Sequence, residues 1–304
     1  MPSPLFVVSR AALSWPGHVF PSDKYERLLK RLTGELGLPA ACFETAQPAS
    51  EAQILLVHSA GYLARVKNYR DRDPEAAVLE FEAPCDASVY EAFLLMAGAS
   101  IRASEIALAG GQAMNVGGGF HHAFADHGEG FCIFNDIAVS IRETQRRGLA
   151  ARIAVIDCDL HQGNGTARIF QGDESVFTFS IHQEHNYPVK ERSDWDIGLE
   201  NGTGDDEYCA LLDEAVAKIL ADFHPDLVHY AAGADPFEKD MLGNLELSKA
   251  GLARRDEIVL ERSRRAGTPV VCTLAGGYAQ DTEDVVDIHF NLAARLARLA
   301  GAIA

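Results

Sequence analysis

The 304-residue sequence contains no long uninterrupted apolar run. A segment that spans a bilayer needs about 20 consecutive apolar residues, so no membrane span is expected. Residues 1–10, MPSPLFVVSR, also lack the basic region and the long apolar region of a secretory signal. These absences predict a cytoplasmic protein that does not associate with membranes.

The sequence also lacks CxxC pairs and the cysteine spacing of small disulfide-linked domains. Reduced and mostly buried thiols are therefore expected. Cys158 lies between two aspartates of a candidate metal site, but strand alternation turns it to the opposite face, where we interpret it as a small core residue. The six cysteines are Cys42, Cys85, Cys132, Cys158, Cys209 and Cys272.

Basic residues are few: 27 Lys and Arg stand against 44 Asp and Glu, which gives a net charge of -17. Proteins that bind nucleic acid usually present a basic face, so no direct contact with nucleic acid is expected. A solvated acidic surface is the commoner explanation of such a charge, although it is also compatible with a cationic substrate.

What the sequence does contain is a regular alternation of short apolar runs and helical patterns. Such alternation predicts an α/β fold in which a central, mostly parallel, multi-stranded sheet is covered by helices on both faces. No repeat or linker interrupts it, so residues 1–304 are predicted to form a single domain. Strands are predicted at 5–9, 113–116, 152–156, 176–181, 227–231 and 269–274, helices at 22–36, 86–108, 133–146, 205–223 and 248–264, and a long surface loop at 70–85.

The stretch VIDCDLHQGNG, at residues 155–165, carries the first functional signal. Its apolar strand stops at Asp157, and Asp159 and His161 follow at steps of two. In an extended chain, residues two apart point to the same side. Two carboxylates and an imidazole would then converge past the carboxyl end of a strand, where open parallel sheets bind their ligands. We interpret this stretch as half of a metal site.

Asp235, in the sequence AGADPF after another predicted strand, is the natural third ligand. A helix N-cap is the alternative explanation of such an aspartate. A catalytic zinc site has about three protein ligands and one open position. Gly163 and Gly233 stand two positions from His161 and Asp235, where a second ion would need side-chain ligands, so one metal is predicted. Two aspartates and one histidine do not select sharply between Zn²⁺ and Fe²⁺.

Acid–base groups follow the strand at 113–116, where three glycines precede His121 and His122. Paired imidazoles beside a metal suit general base and general acid roles near neutral pH, although a lone histidine is more often structural. Each imidazole needs an acceptor that orients it, and Asp157 and Asn164 are the available polar groups.

Tyr278 follows Gly276 and Gly277 past the last predicted strand. A phenol there can donate to a developing oxyanion, whereas an aromatic packing residue is the alternative. Because parallel strands share one carboxyl edge, all these polar groups are expected to meet there, although loops are polar in any case. Together they describe metal-assisted amide hydrolysis.

At these residues the chain resembles the histone deacetylase family, zinc amidohydrolases with the arginase/deacetylase fold. The resemblance covers residues 16–293 and is carried by GGGFHHAF, GEGFCIFND, DCDLHQGNG, GADPFEKDMLG and LAGGY. HQGNG, with Asn164 where some deacetylase classes have Asp, is most similar to the class IV branch.

The resemblance implies a role for each site residue. Tyr278 matches the tyrosine whose replacement by His marks weakly active relatives. The implied zinc ligands are Asp159, His161 and Asp235. The implied catalytic histidines are His121 and His122, held by Asp157 and Asn164 respectively. A structural monovalent cation, K⁺, is implied near Asp157, Asp159, His161, Ser180 and Ile181.

The resemblance also implies a tunnel for an acyl-lysine stem. Phe131 and Tyr187 would flank the stem, and the Gly130 carbonyl would accept from the substrate amide. Leu242 stands where polyamine deacetylases carry an acidic residue, which disfavours a polyamine. Gly276 and Gly277 complete the predicted substrate-binding set.

The sequence therefore predicts a zinc-dependent deacylase that removes acetyl or longer acyl groups from lysine side chains of proteins or peptides. Two alternatives stay open: an amidohydrolase acting on small acylated amines or other metabolites, and a protein that binds acyl-lysine or metal without catalysis. The pattern predicts no particular oligomeric state.

Overall fold

The computed structural model describes residues 4–10 and 13–303. Its centre is one sheet of eight parallel strands in the order β2-β1-β3-β8-β7-β4-β5-β6. The predicted sheet is confirmed, and it is parallel throughout. The strands are β1 (Phe6–Val8), β2 (Phe43–Thr45), β3 (Gln112–Asn115), β4 (Ile153–Asp157), β5 (Val176–Gln183), β6 (Trp195–Leu199), β7 (Leu227–Ala231) and β8 (Val270–Thr273).

Helices cover both faces of this sheet, because successive side chains of each strand point to opposite sides. In β4, Ala154 and Ile156 join one buried apolar cluster, and Ile153 and Val155 join the other. All six cysteines are buried, as predicted. The α-helices are α1 (Lys24–Gly34), α2 (Glu51–Ile54), α3 (Ala60–Arg72), α4 (Val78–Phe81), α5 (Ala87–Gly110), α6 (Asp136–Arg146), α7 (Asn164–Phe170), α8 (Asp205–Phe223), α9 (Lys249–Ala266) and α10 (Thr282–Leu299).

Two parts of the chain differ from the sequence prediction. The surface loop expected at 70–85 is wrong, because α3, a 3₁₀ turn at Pro74–Ala77 and α4 occupy this segment and bury Phe81 and Cys85. The edge strands β2 and β6 were not predicted from the sequence. Both are short and half-exposed, so neither has the continuous apolar run of a buried strand.

The central helix α5 bears on the expectation that the chain contains no membrane span. By length and composition it could cross a membrane, although no uninterrupted apolar run marks it in the sequence. Within the fold, 67% of its most apolar 18-residue window is buried. Its apolar character is therefore explained by packing between the sheet and α6. No other helix of the described residues has this length and hydropathy.

The close packing of α5 leads to a stability prediction at Gly98. A Cβ there would lie 1.8 Å from the carbonyl oxygen of Gln47 and 2.9 Å from the amide nitrogen of Ala49. Gly98→Ala must therefore displace backbone, and we expect the free energy of unfolding to fall by about 2–3 kcal/mol. Gly110→Ala is the matched control, because a Cβ at this other α5 glycine meets no atom within 4 Å. Denaturant titration followed by circular dichroism compares them, and equal stability of the two variants would contradict the packing argument.

Candidate active site

The loops that follow β3, β8, β7 and β4 carry the predicted functional residues. These strands are consecutive neighbours in the sheet, and all of them are parallel. Their carboxyl ends therefore lie side by side, which brings together segments that are far apart in sequence. The predicted convergence at one sheet edge is what the structure contains.

Asp159, His161 and Asp235 form a buried cluster at this edge, with ligand atoms within 4.8 Å of one another. The Nδ1 of His161 lies 3.3 Å from Oδ1 of Asp159 and 3.2 Å from Oδ2 of Asp235. It is the one group of three or more His, Cys, Asp or Glu side chains with such spacing in the described part of the chain. The geometry therefore offers a site for one ion.

Backbone amides and glycines hold the two carboxylates in place. The amide of Gly276 donates to Oδ2 of Asp159 at 2.7 Å, and the amide of Leu160 donates to Oδ1 of Asp235 at 2.9 Å. A Cβ on Gly276 would stand 2.1 Å from Oδ2 of Asp235, and one on Gly233 would stand 2.4 Å from Oδ2 of Asp159. Any side chain at position 233 or 276 would therefore clash with the carboxylates, and only glycine avoids this clash.

The electrostatics of this cluster fit a divalent metal. Burial, together with the charge of Asp159, raises the pKa of Asp235 to about 7. Burial lowers the pKa of His161, but hydrogen bonds and charge from Asp159 and Asp235 more than offset this and raise it to about 10. The raised pKa values of Asp235 and His161 reflect the cost of burying two carboxylate charges side by side, and a bound cation would relieve this cost in place of a proton. Carboxylate oxygens and imidazole nitrogens are also common metal ligands.

A prediction follows for Gly276. Gly276→Ala should push a methyl group into Asp235, and we expect the bound metal per chain to fall at least about tenfold, since ligand displacement of this size disrupts coordination geometry. The control is Gly61→Ala, because a Cβ at Gly61 meets nothing within 4 Å. Metal analysis of the purified variants measures the effect. Normal metal content in Gly276→Ala would show that the backbone around Asp159 and Asp235 can move to accept the methyl group.

The tandem histidines lie beside the metal cluster with the partners expected for them. The Nδ1 of His121 lies 2.7 Å from Oδ2 of Asp157, and the Nδ1 of His122 lies 2.8 Å from Oδ1 of Asn164. The two Nε2 atoms are 3.1 Å apart. Asp157 thus orients a histidine and, unlike Asp159, does not point at the metal cluster.

The two histidines differ in charge. Burial lowers the pKa of His121, but the charges of Asp157 and Asp159 outweigh it and raise the pKa to about 9. Burial and the nearby His121 and His161 hold the pKa of His122 well below its usual value. At neutral pH, His121 is an imidazolium and His122 is a neutral imidazole that can accept a proton.

The histidine loop is fixed by two residues whose role the sequence analysis missed. Asp136 accepts hydrogen bonds from the amides of Gly119 and Phe120 at 3.0 and 2.8 Å. Asn135 caps α6 and donates to the Ala123 carbonyl at 3.2 Å. Both belong to the quoted motif GEGFCIFND, and its polar pair before a helix was the available signal.

Tyr278 faces the metal cluster across the pocket. Its amide donates to Oδ2 of Asp240 at 2.7 Å, and its ring centroid lies 6.3 Å from that of His161. Burial, then the charges of Asp235 and Asp159, raise the pKa of Tyr278 well above its usual value. The phenol therefore stays protonated and can donate a hydrogen bond.

Two further residues hold the loop that carries Tyr278. Asp240 is one, through the amide contact described above. The other is Lys24, a buried lysine whose Nζ donates to the Ala275 carbonyl at 2.7 Å. Ala275 has a φ of 52°, an unusual value for a residue with a Cβ. Neither Lys24 nor Asp240 had a recognisable spacing in the sequence.

A cavity of about 260 Å³ opens above the metal cluster. Of the predicted substrate-binding residues, Gly130, Phe131, Tyr187 and Leu242 line it, together with His122, His161 and Tyr278. Gly276 and Gly277 do not line this cavity, and their assignment to the substrate stays a prediction. A Cβ on Gly276 would meet the metal-site carboxylates, and one on Gly277 would meet Ala234 and Val285.

The residues predicted to hold a monovalent cation are also close together. Asp157 at the end of β4 is the register partner of Ser180 in β5, and Ile181 follows in the same strand. The Oγ of Ser180 lies 2.9 Å from Nδ1 of His182, a buried neighbour.

Comparison with known proteins identifies the family. The model of the histone deacetylase domain matches residues 18–292. An uncharacterized protein of Picosynechococcus sp. (strain PCC 7002) is 42% identical, over 92% of this chain and 93% of its own length. Histone deacetylase 2 of Arabidopsis thaliana is 34% identical over 88% of this chain and 72% of its own.

A third relative and two solved structures agree with this match. The histone deacetylase-like amidohydrolase of Pseudomonas aeruginosa is 32% identical over 85% of this chain and 72% of its own. The fold matches a crystal structure of a histone deacetylase homologue from Aquifex aeolicus (TM-score 0.81, 23% identity, 98% of this chain and 84% of that one). It also matches the HDA15 HD domain (TM-score 0.78, 22% identity, 97% and 92%). The chain belongs to the histone deacetylase family of deacetylases and amidohydrolases.

Proposed function

We propose that the chain is a zinc-dependent deacylase that removes acetyl or longer acyl groups from the ε-amine of lysine in proteins or peptides. The observation that carries this proposal is one pocket lined by His122, Tyr278 and His161, the last of which belongs to the buried Asp–His–Asp cluster. A metal site, a proton acceptor and a hydrogen-bond donor to the oxyanion are the three kinds of group that metal-assisted amide hydrolysis uses.

Asp159, His161 and Asp235 would hold the zinc, with Fe²⁺ as the other candidate ion. When bound, such a metal supplies Lewis-acid polarisation of the amide carbonyl and lowers the pKa of a coordinated water. A structural K⁺ beside Asp157 and Ser180 is proposed from the resemblance and from the proximity of these residues.

The other groups would move the protons. His122 accepts a proton from the water whose oxygen attacks the acyl carbon. Tyr278 donates a hydrogen bond to the carbonyl oxygen as negative charge develops on it. The carbon–nitrogen bond then breaks, His122 returns the proton to the leaving amine, and carboxylate and free lysine are released. His121, held by Asp157, keeps a positive charge next to these steps.

The pocket supports an extended alkyl amide as substrate. Phe131 and Tyr187 provide aromatic walls, and Leu242 provides an apolar one. Such walls suit the four methylene groups of a lysine stem, because they bury apolar surface without requiring charge. Leu242 offers no carboxylate to a second amine of a polyamine.

Exposed apolar side chains close in sequence to the pocket lining favour a polypeptide carrier. Leu79 is 96% exposed, Val189 is 87% exposed and Met241 is 53% exposed. Each lies within three residues of a pocket-lining residue. Exposed apolar side chains that cluster near a binding pocket are typical of surfaces that contact a second molecule, and we propose that these three do so.

A small acylated amine is the second candidate substrate. Glu82 places a carboxylate at the pocket lining, and the whole chain carries a net charge of -17. Both favour a cationic substrate.

The proposal also covers the organisation and location of the protein. Residues 1–304 are proposed to form one catalytic domain that acts in the cytoplasm without direct contact to nucleic acid or membrane.

A substrate panel tests these alternatives. The zinc-loaded chain is assayed with an acetyl-lysine peptide, a long-chain acyl-lysine peptide and an acetylated polyamine. We expect kcat/KM on the better peptide to exceed that on the polyamine by at least about tenfold, the effect of a few lost contacts in a pocket. A preference for the polyamine would favour the small-amine alternative. No turnover on any substrate at normal metal content would favour a protein that binds without catalysis.

A further inference from the structure

We infer that Glu129 is a positioning residue for His122 and acts through Asn164. This inference deepens the proposed function and rests on it. Oε1 of Glu129 accepts a hydrogen bond from Nδ2 of Asn164 at 3.1 Å, and Oδ1 of Asn164 lies 2.8 Å from Nδ1 of His122. A continuous line of hydrogen bonds therefore runs from the glutamate to the histidine proposed as base.

The chemistry of an amide explains why such a residue is needed. The side chain of Asn164 has an oxygen that accepts and an NH₂ group that donates, and the two ends have nearly the same shape. If the NH₂ group faced His122, Nδ1 would have to accept, and the ring proton would move to Nε2. His122 could then take no proton from water. The orientation of one amide thus decides whether the base is usable.

Glu129 selects the productive orientation because a carboxylate only accepts hydrogen bonds. Its Oε1 holds the NH₂ group of Asn164, which turns Oδ1 toward His122. The amide of Gly165 donates to the same Oδ1 at 3.0 Å and favours the same orientation. Asn164 is 1% exposed, so solvent does not supply alternative partners for its two ends.

The contact between the two histidines agrees with this assignment. Their Nε2 atoms are 3.1 Å apart, so one must donate and the other accept. With Oδ1 of Asn164 facing it, Nδ1 of His122 donates, so Nε2 of the neutral His122 ring accepts. Nε2 of His121 is then the donor, and Nδ1 of the same ring donates to the acceptor-only carboxylate of Asp157 at 2.7 Å.

Glu129 also joins this line to the wall of the pocket. The hydroxyl of Tyr187 donates to the same Oε1 at 2.9 Å. The close approach of Tyr187 to His122 requires glycine at position 130, where φ is 53°. A Cβ there would lie 2.7 Å from both Cδ2 of His122 and the hydroxyl oxygen of Tyr187. One carboxylate oxygen therefore anchors the tunnel wall and the partner of the base together.

The pair at 129 and 164 must consist of one acceptor-only group and one group that can donate. Glu129 with Asn164 meets this requirement, and so would glutamine at 129 with aspartate at 164. Glutamate with aspartate would set two carboxylates about 3 Å apart, the one at position 164 buried and the one at position 129 half-buried, which is unfavourable. The two positions should therefore depend on each other in a specific direction.

A double-mutant cycle tests this dependence with four chains: wild type, Glu129→Gln, Asn164→Asp and the double variant. We expect Asn164→Asp to lower kcat at least about tenfold and Glu129→Gln to lower it about fivefold, with KM within about twofold, as for coupled contacts of 1–2 kcal/mol. In the double variant, the new amide at position 129 can donate to the new carboxylate at position 164, and kcat should return to within about threefold of wild type. Glu174→Gln, at an exposed position, is the control and should change nothing.

The outcomes separate this inference from the proposed function. Losses that simply multiply in the double variant would overturn the positioning role, even if the wild type hydrolyses acyl-lysine. If the wild type turns over no acyl substrate, the proposed function fails, and ¹⁵N NMR of histidine-labelled protein still reports the tautomer of His122. An Nδ1–H tautomer that is lost in Glu129→Ala supports the inference, whereas an unchanged tautomer overturns it.

Discussion

Asp159→Ala is expected to abolish metal binding and to lower kcat/KM at least about 10³-fold, because the metal supplies several kcal/mol of transition-state stabilisation. Asp159 is 1% exposed, and its carboxylate lies within reach of His161 and Asp235. Removing it leaves two ligands, fewer than a catalytic site of this type needs. Metal content per chain and turnover of an acetyl-lysine peptide are measured on the same preparation.

Asp222→Ala serves as the control for this variant, since Asp222 is exposed at the end of α8, far along the chain from Asp159. It should retain one metal and full turnover. An Asp159→Ala chain that keeps its metal and its activity would show that the Asp–His–Asp cluster is not the reactive centre.

Tyr278→Phe is expected to lower kcat by about 10²–10³-fold, the usual effect of removing one donor to an oxyanion. KM and metal content should change little, because the ring still packs beside Phe131, whose centroid is 6.0 Å away. The phenol is protonated at neutral pH and lines the pocket together with His161. Initial rates over a range of substrate concentrations separate the effect on kcat from the effect on KM.

Tyr90→Phe provides a matched comparison, because the buried Tyr90 hydroxyl has no hydrogen-bond partner among the described residues. The activity of Tyr90→Phe should stay within about twofold of wild type, because the substitution removes no hydrogen bond. If Tyr278→Phe behaved like Tyr90→Phe, the phenol would be a packing group, which is the alternative explanation of an aromatic residue after two glycines.

Much of the site follows from sequence because strand ends can be recognised locally. The apolar run before Asp157 and the similar run before Asp235 each mark the end of a buried strand, and parallel strands bring such ends together. Alternation within an extended segment also predicted that Asp159 and His161 face one point. Alternation alone would aim Asp157 at the same point, but its carboxylate contacts His121, which is the role that the need for an orienting acceptor predicted.

The supporting residues could not be predicted in the same way. Glu129, Asp136, Asp240 and Lys24 act through hydrogen bonds to residues that are distant in sequence. No periodicity or spacing encodes such contacts, because they depend on the three-dimensional path of irregular backbone. A charged residue in a loop is usually solvated, and only its burial and partners reveal a role.

The same limit applies to the segment at 70–85. Its charged residues suggested an exposed loop, yet Ala77 and Phe81 are fully buried and Glu82 lines the pocket. Short helical turns bury isolated apolar residues without a long amphipathic pattern. The boundary of the pocket was therefore less predictable than its floor, where the strand ends set the geometry.

The central claim is that one divalent metal, held by Asp159, His161 and Asp235, drives hydrolysis of an acyl-lysine amide. Its most direct test is a zinc titration of the chelator-stripped chain while turnover of an acetyl-lysine peptide is followed. We predict negligible turnover without metal and a linear rise that levels off at about one equivalent of zinc. Full turnover in the stripped chain, or a requirement for two equivalents, would contradict the claim.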